Sequence, residues 1–146
     1  MNAIGLIELT SIAAGFNTAD AMLKASAVAL LLSDTFVIPN VHPDIFPAIS
    51  GTTQVQMLEA LGIVESFSVA SLIEAADAAV KTARVQLMEI RLAMALGGKA
   101  FVTMTGDVAS VKSAVDAAAV VCSERGLLVN KVVIPNPRKE LLKEIV

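Results

Sequence analysis

A chain of 146 residues with one histidine and one cysteine has little with which to build an active site. Nucleophilic catalysis needs a Ser, Cys or Thr with a base in hydrogen-bond reach and a third group to orient that base. Metal catalysis needs several His, Cys or carboxylate ligands at matched spacing. His42 stands alone beside Pro43, Cys122 stands alone in an alanine- and valine-rich run, and no Gly-rich phosphate loop is present. Glu8 and Glu65 close the similar strings AIGLIE and ALGIVE, so in principle they form an acid/base pair. Each belongs to a repeated unit, however, and a structural role accepting nearby backbone N–H groups is the stronger reading. The sequence therefore offers no catalytic set, no metal site and no cofactor site.

If these residues do not react, the chain around them must serve another purpose, and composition narrows it. Apolar residues make up 55% and charged ones 17%, far too apolar for a disordered chain. With no Trp or Tyr and five Phe, the apolar area comes from Ala, Val, Leu and Ile, which make flat helix faces suited to close packing against neighbours. A core is expected, and an interface as well. The net charge of −3 with dispersed Lys and Arg leaves no basic stripe for a phosphate backbone, so nucleic acid is not an expected partner. The opening MNAIGLIELTS lacks a leading positive charge, and no uncharged apolar run approaches the roughly 18 residues a membrane helix requires. A soluble cytoplasmic protein is expected, and a single cysteine agrees with a reducing compartment.

The chain repeats itself. VIPN occurs at residues 37–40 and again at 133–136, an offset of 96. Ala3–Glu8 matches Ala60–Glu65 at an offset of 57, so one copy is 39 residues shorter than the other. Two domains follow: residues 1–57, a shortened first copy with a connecting segment, and residues 58–146, a complete second copy.

In the second copy ALGIVE reads as a strand, and Ser68 caps a helix with Val69, Leu72, Ile73, Ala76 and Val80 on one face. VQLMEIRLAM alternates as a strand, with Gln86, Met88, Ile90 and Leu92 against Val85, Leu87, Glu89 and Arg91. After Gly97-Gly98, KAFVTMTG alternates again and closes a hairpin. Asp107 caps a second helix with a buried stripe of Val108, Val111, Val115, Ala118 or Ala119, and Cys122, ended by a left-handed Gly126. LLVNKVVIP is the last strand, and RKELLKEIV can add a short helix. The fold class is α+β, with the strand-helix-strand-strand-helix-strand order of a split βαβ, ferredoxin-like domain. In the first copy Ser11 caps a helix with Ile12, Phe16, Ala19 and Leu23 inward. VALLL begins strand two, and Ser33–Thr35 leads directly into FVIPN, the equivalent of the last strand.

AIGLIE with ADAMLKAS, ALGIVE with AADAAVKTA, GGKAFVTMTGDVASVKSAVDAA and VIPNP together resemble the shell proteins of bacterial microcompartments. The joining segment VHPDIFPAISG narrows the likeness to tandem-domain members, such as those of propanediol-utilising compartments. The resemblance implies a structural protein within the cytoplasmic compartment shell. Three chains would make a pseudohexameric disc, discs would tile with other shell proteins, and small metabolites would pass through a central pore. It implies that Leu96, Gly97, Gly98 and Lys99 line that pore. Two glycines leave amide N–H groups uncovered for a polar or anionic metabolite, although such a dipeptide also serves as an ordinary hairpin turn. It implies a disc-rim position for Lys24 and Lys81, which occupy the same place in the two copies. Asn136 stands where the family often has a rim arginine, with Arg138 two residues later, and His42 lies in the corresponding stretch of the first copy. Some tandem members hold an iron–sulfur cluster through a cysteine in the first copy's loop. That loop is missing here, so no cluster is expected.

The family strand order 4-1-3-2 places strand three between one and two. Its loss from the first copy predicts a smaller or strained sheet with an exposed edge. Either the polypeptide lacks the piece, which the consecutive numbering favours, or the 146 residues omit it. An intact mass of 15.1 kDa, against one heavier by 39 residues, separates the two. The competing function is a trimeric small-molecule-binding regulatory domain, since related two-layer α+β folds serve as sensors. A sensor stays a discrete oligomer, whereas a shell component forms sheets.

Overall fold

The computed structural model describes residues 4–6, 20–21, 24, 36–55, 57–92 and 99–141. In chain order its elements are β1 (Ile4–Leu6), β2 (Phe36–Ile38), α1 (Ile45–Ser50), β3 (Ala60–Ser66), α2 (Val69–Thr82), β4 (Gln86–Arg91), β5 (Ala100–Gly106), α3 (Val108–Glu124) and β6 (Leu128–Pro135), then a 3₁₀ turn at Lys139–Leu141. Contacts divide the chain into two units, Met1–Val41 and His42–Val146. The connecting segment thus groups with the second unit, whereas the repeat boundary read from sequence falls between Met57 and Leu58.

The second unit is a four-stranded sheet in the order β4-β5-β3-β6, antiparallel throughout. This is the 4-1-3-2 order of the split βαβ fold. Helices α2 and α3 pack against each other and against the sheet, and α1 packs beside β4. The capping residues act as their types dictate. Ser68 Oγ accepts the Ser71 N–H at 3.2 Å, satisfying one of the donors a helix start leaves open. Asp107 accepts the Ser110 N–H at 2.9 Å and the Ser110 hydroxyl at 2.6 Å, and these bonds hold its carboxyl below the usual aspartate range. Gly126, at φ +67°, ends α3 in a left-handed turn. Its N–H reaches the Ser123 carbonyl and that of Leu127 the Cys122 carbonyl, a pairing that satisfies two orphan carbonyls.

Gly62 sets how close helix and sheet come. A Cβ there would lie 2.7 Å from Val115 Cγ2, 2.8 Å from Val111 Cγ1 and 2.9 Å from Met104 Cγ, so α3 descends onto β3 only because that methyl is missing. Val111, Val115, Ala118, Ala119 and Cys122 are buried as the helical stripe predicts, but Val108 at the first turn is exposed. On α2 the buried set is Ala70, Leu72, Ile73, Ala75, Ala76 and Ala79, with Ser71 and Asp77. Val69 and Val80 sit at its margins, because contact with α3 rotates the buried face toward the alanines.

The hairpin departs from strict alternation. The β4–β5 register shifts between Leu87 and Glu89, so Leu87 and Met88 are both buried where alternation would expose one. On β5 the alternate residues Thr103 and Thr105 are buried as well. Thr103 Oγ1 accepts the Glu89 N–H at 3.2 Å, and the Thr105 hydroxyl reaches the Met57 carbonyl at 3.5 Å, so the second sheet face is partly covered.

In the first unit β1 pairs antiparallel with β2, the equivalent of strand one with strand four. The register is Ile4↔Ile38, Gly5↔Val37 and Leu6↔Phe36. The equivalent residues of the second unit pair identically, Leu61↔Ile134, Gly62↔Val133 and Ile63↔Val132. Both copies then leave the strand through a left-handed asparagine, Asn40 at φ 53° and Asn136 at φ 48°. The expected first helix and strand two of this copy lie largely outside the described residues.

Gly62→Ala is expected to cost about 1–3 kcal/mol through overpacking of Val111 and Val115. Denaturant unfolding with an unchanged midpoint would refute the close-approach reading.

Candidate functional site

Three sets of residues were singled out by sequence, and the fold places each on a different part of the chain. The first is the connection between β4 and β5. Leu96, Gly97 and Gly98 lie outside the described residues, but the base of the connection is defined. Lys99 is half-buried, with Nζ 3.5 Å from Glu65 Oε1. Arg91 bonds Glu89 Oε1 at 2.7 and 3.0 Å, and its guanidinium lies 5.5 Å from the centre of the Phe101 ring. Glu65 and Arg91 both face Phe101 in register, so two acids and two bases meet where the loop leaves the sheet. The glutamate that sequence reading assigned to backbone amides is instead ion-paired. Lys99 does not stand as an isolated cation.

The second set is the lysine pair. Lys81 bonds Asp77 one turn earlier, and Lys24 bonds Asp20 at 2.6 Å with the same spacing, so the two copies carry the same ion pair. Their surroundings differ. Asp77 retains only 7% side-chain exposure, and its other oxygen accepts the His42 backbone N–H at 2.8 Å. Asp20 is 61% exposed. Neither aspartate was singled out from sequence. The signal was present in ADAMLK and AADAAVK, where an aspartate precedes each lysine by four residues, but the His42 contact spans 35 positions and leaves no local trace. His42 itself is a turn residue, its Nδ1 accepting the Asp44 N–H at 3.3 Å.

The third set is the exit from β6. Asn136 and Arg138 are exposed, and the Asn136 N–H reaches the Glu59 carbonyl at 3.0 Å. No hydrogen bond or ion pair among the described residues joins Lys24, Lys81, Asn136 and Arg138 to one another.

Chemistry finds little purchase. Among the described residues no group of three or more His, Cys, Asp or Glu could hold a metal ion. Cys122 is fully buried, and burial pushes its thiol up. An open depression lined by Met57, Glu59, Arg84, Gln86, Thr105 and Asp107 is polar, but the Asp107 carboxylate in it is committed to the α3 cap. No helix among the described residues is long and apolar enough to cross a membrane.

The chain, with its helix-backed sheet in the 4-1-3-2 order and its first and last strands present twice in one register, matches a family model, the BMC domain. That model matches residues 3–41 and 60–137, the first match half as long as the second. The chain belongs to this family, the bacterial microcompartment shell proteins. It is 38% identical to microcompartment shell protein PduT of Citrobacter freundii over 179 aligned positions, covering 99% of this chain and 97% of that protein. The alignment is longer than the 146 residues here, so part of that relative has no counterpart. Shell protein EutM of Salmonella typhimurium is 43% identical over 84 residues, 58% of this chain and 85% of that protein. A microcompartment protein of known crystal structure from Desulfitobacterium hafniense is 46% identical, with a TM-score of 0.84 over 97% of this chain and 98% of that one. The first two of these relatives are shell proteins, and the third is a microcompartment protein.

Asp77→Ala is expected to destabilise the protein by about 1–3 kcal/mol, because it strips the His42 N–H of its partner. Lys81→Ala, which removes the more exposed half of the pair, is expected to cost under about 1 kcal/mol. Equal losses in chemical denaturation would contradict the buried-acceptor role. Cys122 is expected to react with a thiol reagent only at the rate of unfolding, and immediate labelling of the native protein would contradict its burial.

Proposed function

We propose that this chain is a non-catalytic tile of a microcompartment shell in the bacterial cytoplasm: a homotrimer of two-domain subunits, residues 1–57 and 58–146, arranged as a pseudohexamer. The observation that carries this reading is the identical register of strands one and four in the two copies. It means that two units of one architecture, one abbreviated, stand in tandem. In this reading three chains bring six similar units into one ring, a reading that the tandem units and the family membership support.

In this reading Leu96, Gly97, Gly98 and Lys99 line the central opening, three loops per tile where a full pair of copies would give six. The Glu65 and Glu89 carboxylates offset Lys99 and Arg91 at the loop base, so uncovered amides rather than a net cation would favour polar or anionic metabolites. Lys24, Lys81, Asn136 and Arg138 lie at the tile edge and meet neighbouring tiles or other shell proteins.

Concentrated purified protein viewed by negative-stain electron microscopy is expected to form sheets or tubes of trimeric tiles. Lys81→Ala is expected to leave the trimer intact and abolish the sheets. A discrete oligomer that never forms sheets and binds one metabolite saturably would favour the regulatory-domain reading instead.

A further inference from the structure

The connecting segment shows how the end of one repeat is held by the helix of the next. After β2 the chain turns through the left-handed Asn40, and two residues later the His42 N–H donates to Asp77 Oδ1 at 2.8 Å, while Asp77 Oδ2 holds Lys81. Both halves of this contact exist a second time. After β6 the chain turns through the left-handed Asn136, and two residues later comes Arg138, which occupies the repeat position of His42. The repeat equivalent of Asp77 is Asp20, whose Oδ2 holds Lys24 in the same way. Among the described residues Asp20 Oδ1 has no donor and the Arg138 N–H has no acceptor. The chain therefore carries one completed contact and the two separated halves of another.

We infer that the missing contact is made between subunits: the Arg138 N–H of one copy of this chain docks on the Asp20 carboxylate of a second copy. When repeats alternate around a ring, the junction within a chain and the junction between chains are equivalent, and what the first displays the second repeats. The exposures agree. Asp77 is covered because its exit segment belongs to the same chain, and Asp20 is 61% open because its exit segment belongs to another. The guanidinium of Arg138 adds a positive charge toward a carboxylate, so the junction is complementary in charge as well as in hydrogen bonding. This inference rests on the trimeric-ring reading.

Subunit dissociation measured by sedimentation or mass photometry tests it. Asp20→Ala removes the acceptor and Arg138→Pro removes the amide donor, and each is expected to weaken the trimer about ten- to a hundredfold, the usual size of a hydrogen bond to a charged group. The double variant is expected to be no weaker than either single one, since both remove the same bond. Arg138→Gln keeps the amide and Lys24→Ala keeps the carboxylate, so both are expected to retain most of the affinity. As a second measurement that removes no fold element, D20C with R138C is expected to give an intermolecular disulfide ladder ending at trimer, with Cys122 sealed in the core. A wild-type trimer whose affinity ignores both substitutions, or loses them as independent factors, and which gives no ladder, keeps the ring and removes this contact. A wild-type chain that is monomeric at every concentration removes both.

Discussion

The first strand of the complete repeat carries the fold, because it joins the hairpin on one side to the last strand on the other. Ala60–Ser66 pairs with β5 along one edge and β6 along the other, and its Gly62 lets α3 settle on the sheet. Removing a neighbour on one side leaves the ladder on the other side whole. The first copy is a natural instance: the segment equivalent to strand three is missing from the sequence, yet Ile4–Leu6 and Phe36–Ile38 keep the pairing that their equivalents make in the complete copy. A side chain moved by one position in an antiparallel pair changes face, so retention of register preserves which residues point inward even in a two-stranded remnant.

What could be read from sequence was whatever has a local cause. Ser68 and Asp107 cap because a short oxygen side chain before an apolar run has open amides to accept, and Gly126 turns left-handed because it bears no Cβ. The two repeat offsets, taken together, specify which strand of the first copy pairs with which. The irregular features were illegible for the converse reason. The register shift near Met88 arises from fitting β4 to β5, and the burial of Thr103 and Thr105 arises from segments far along the chain, so neither has a periodic signature.

The candidate site divides the same way. Lys24 and Lys81 stood out because they recur, but the meaning of their aspartates depends on surroundings that recurrence cannot supply. Asp77 lies under the connecting segment and Asp20 does not, although the two strings around them are nearly the same. Glu65 shows the opposite error. Its recurrence suggested a backbone acceptor, and the fold instead gives it Lys99, a residue whose counterpart the first copy lacks.

That contrast between the twin aspartates bears on how a duplicated chain drifts apart. A carboxylate wedged between a lysine and a distant amide tolerates almost no replacement, since any exchange strands one of its two clients. Its open twin answers, among the described residues, to one flexible lysine, and would be constrained further only if a sister molecule rests on it as proposed. Mutational tolerance at Asp77 is thus set within the polypeptide, while at Asp20 it would be set by the proposed assembly.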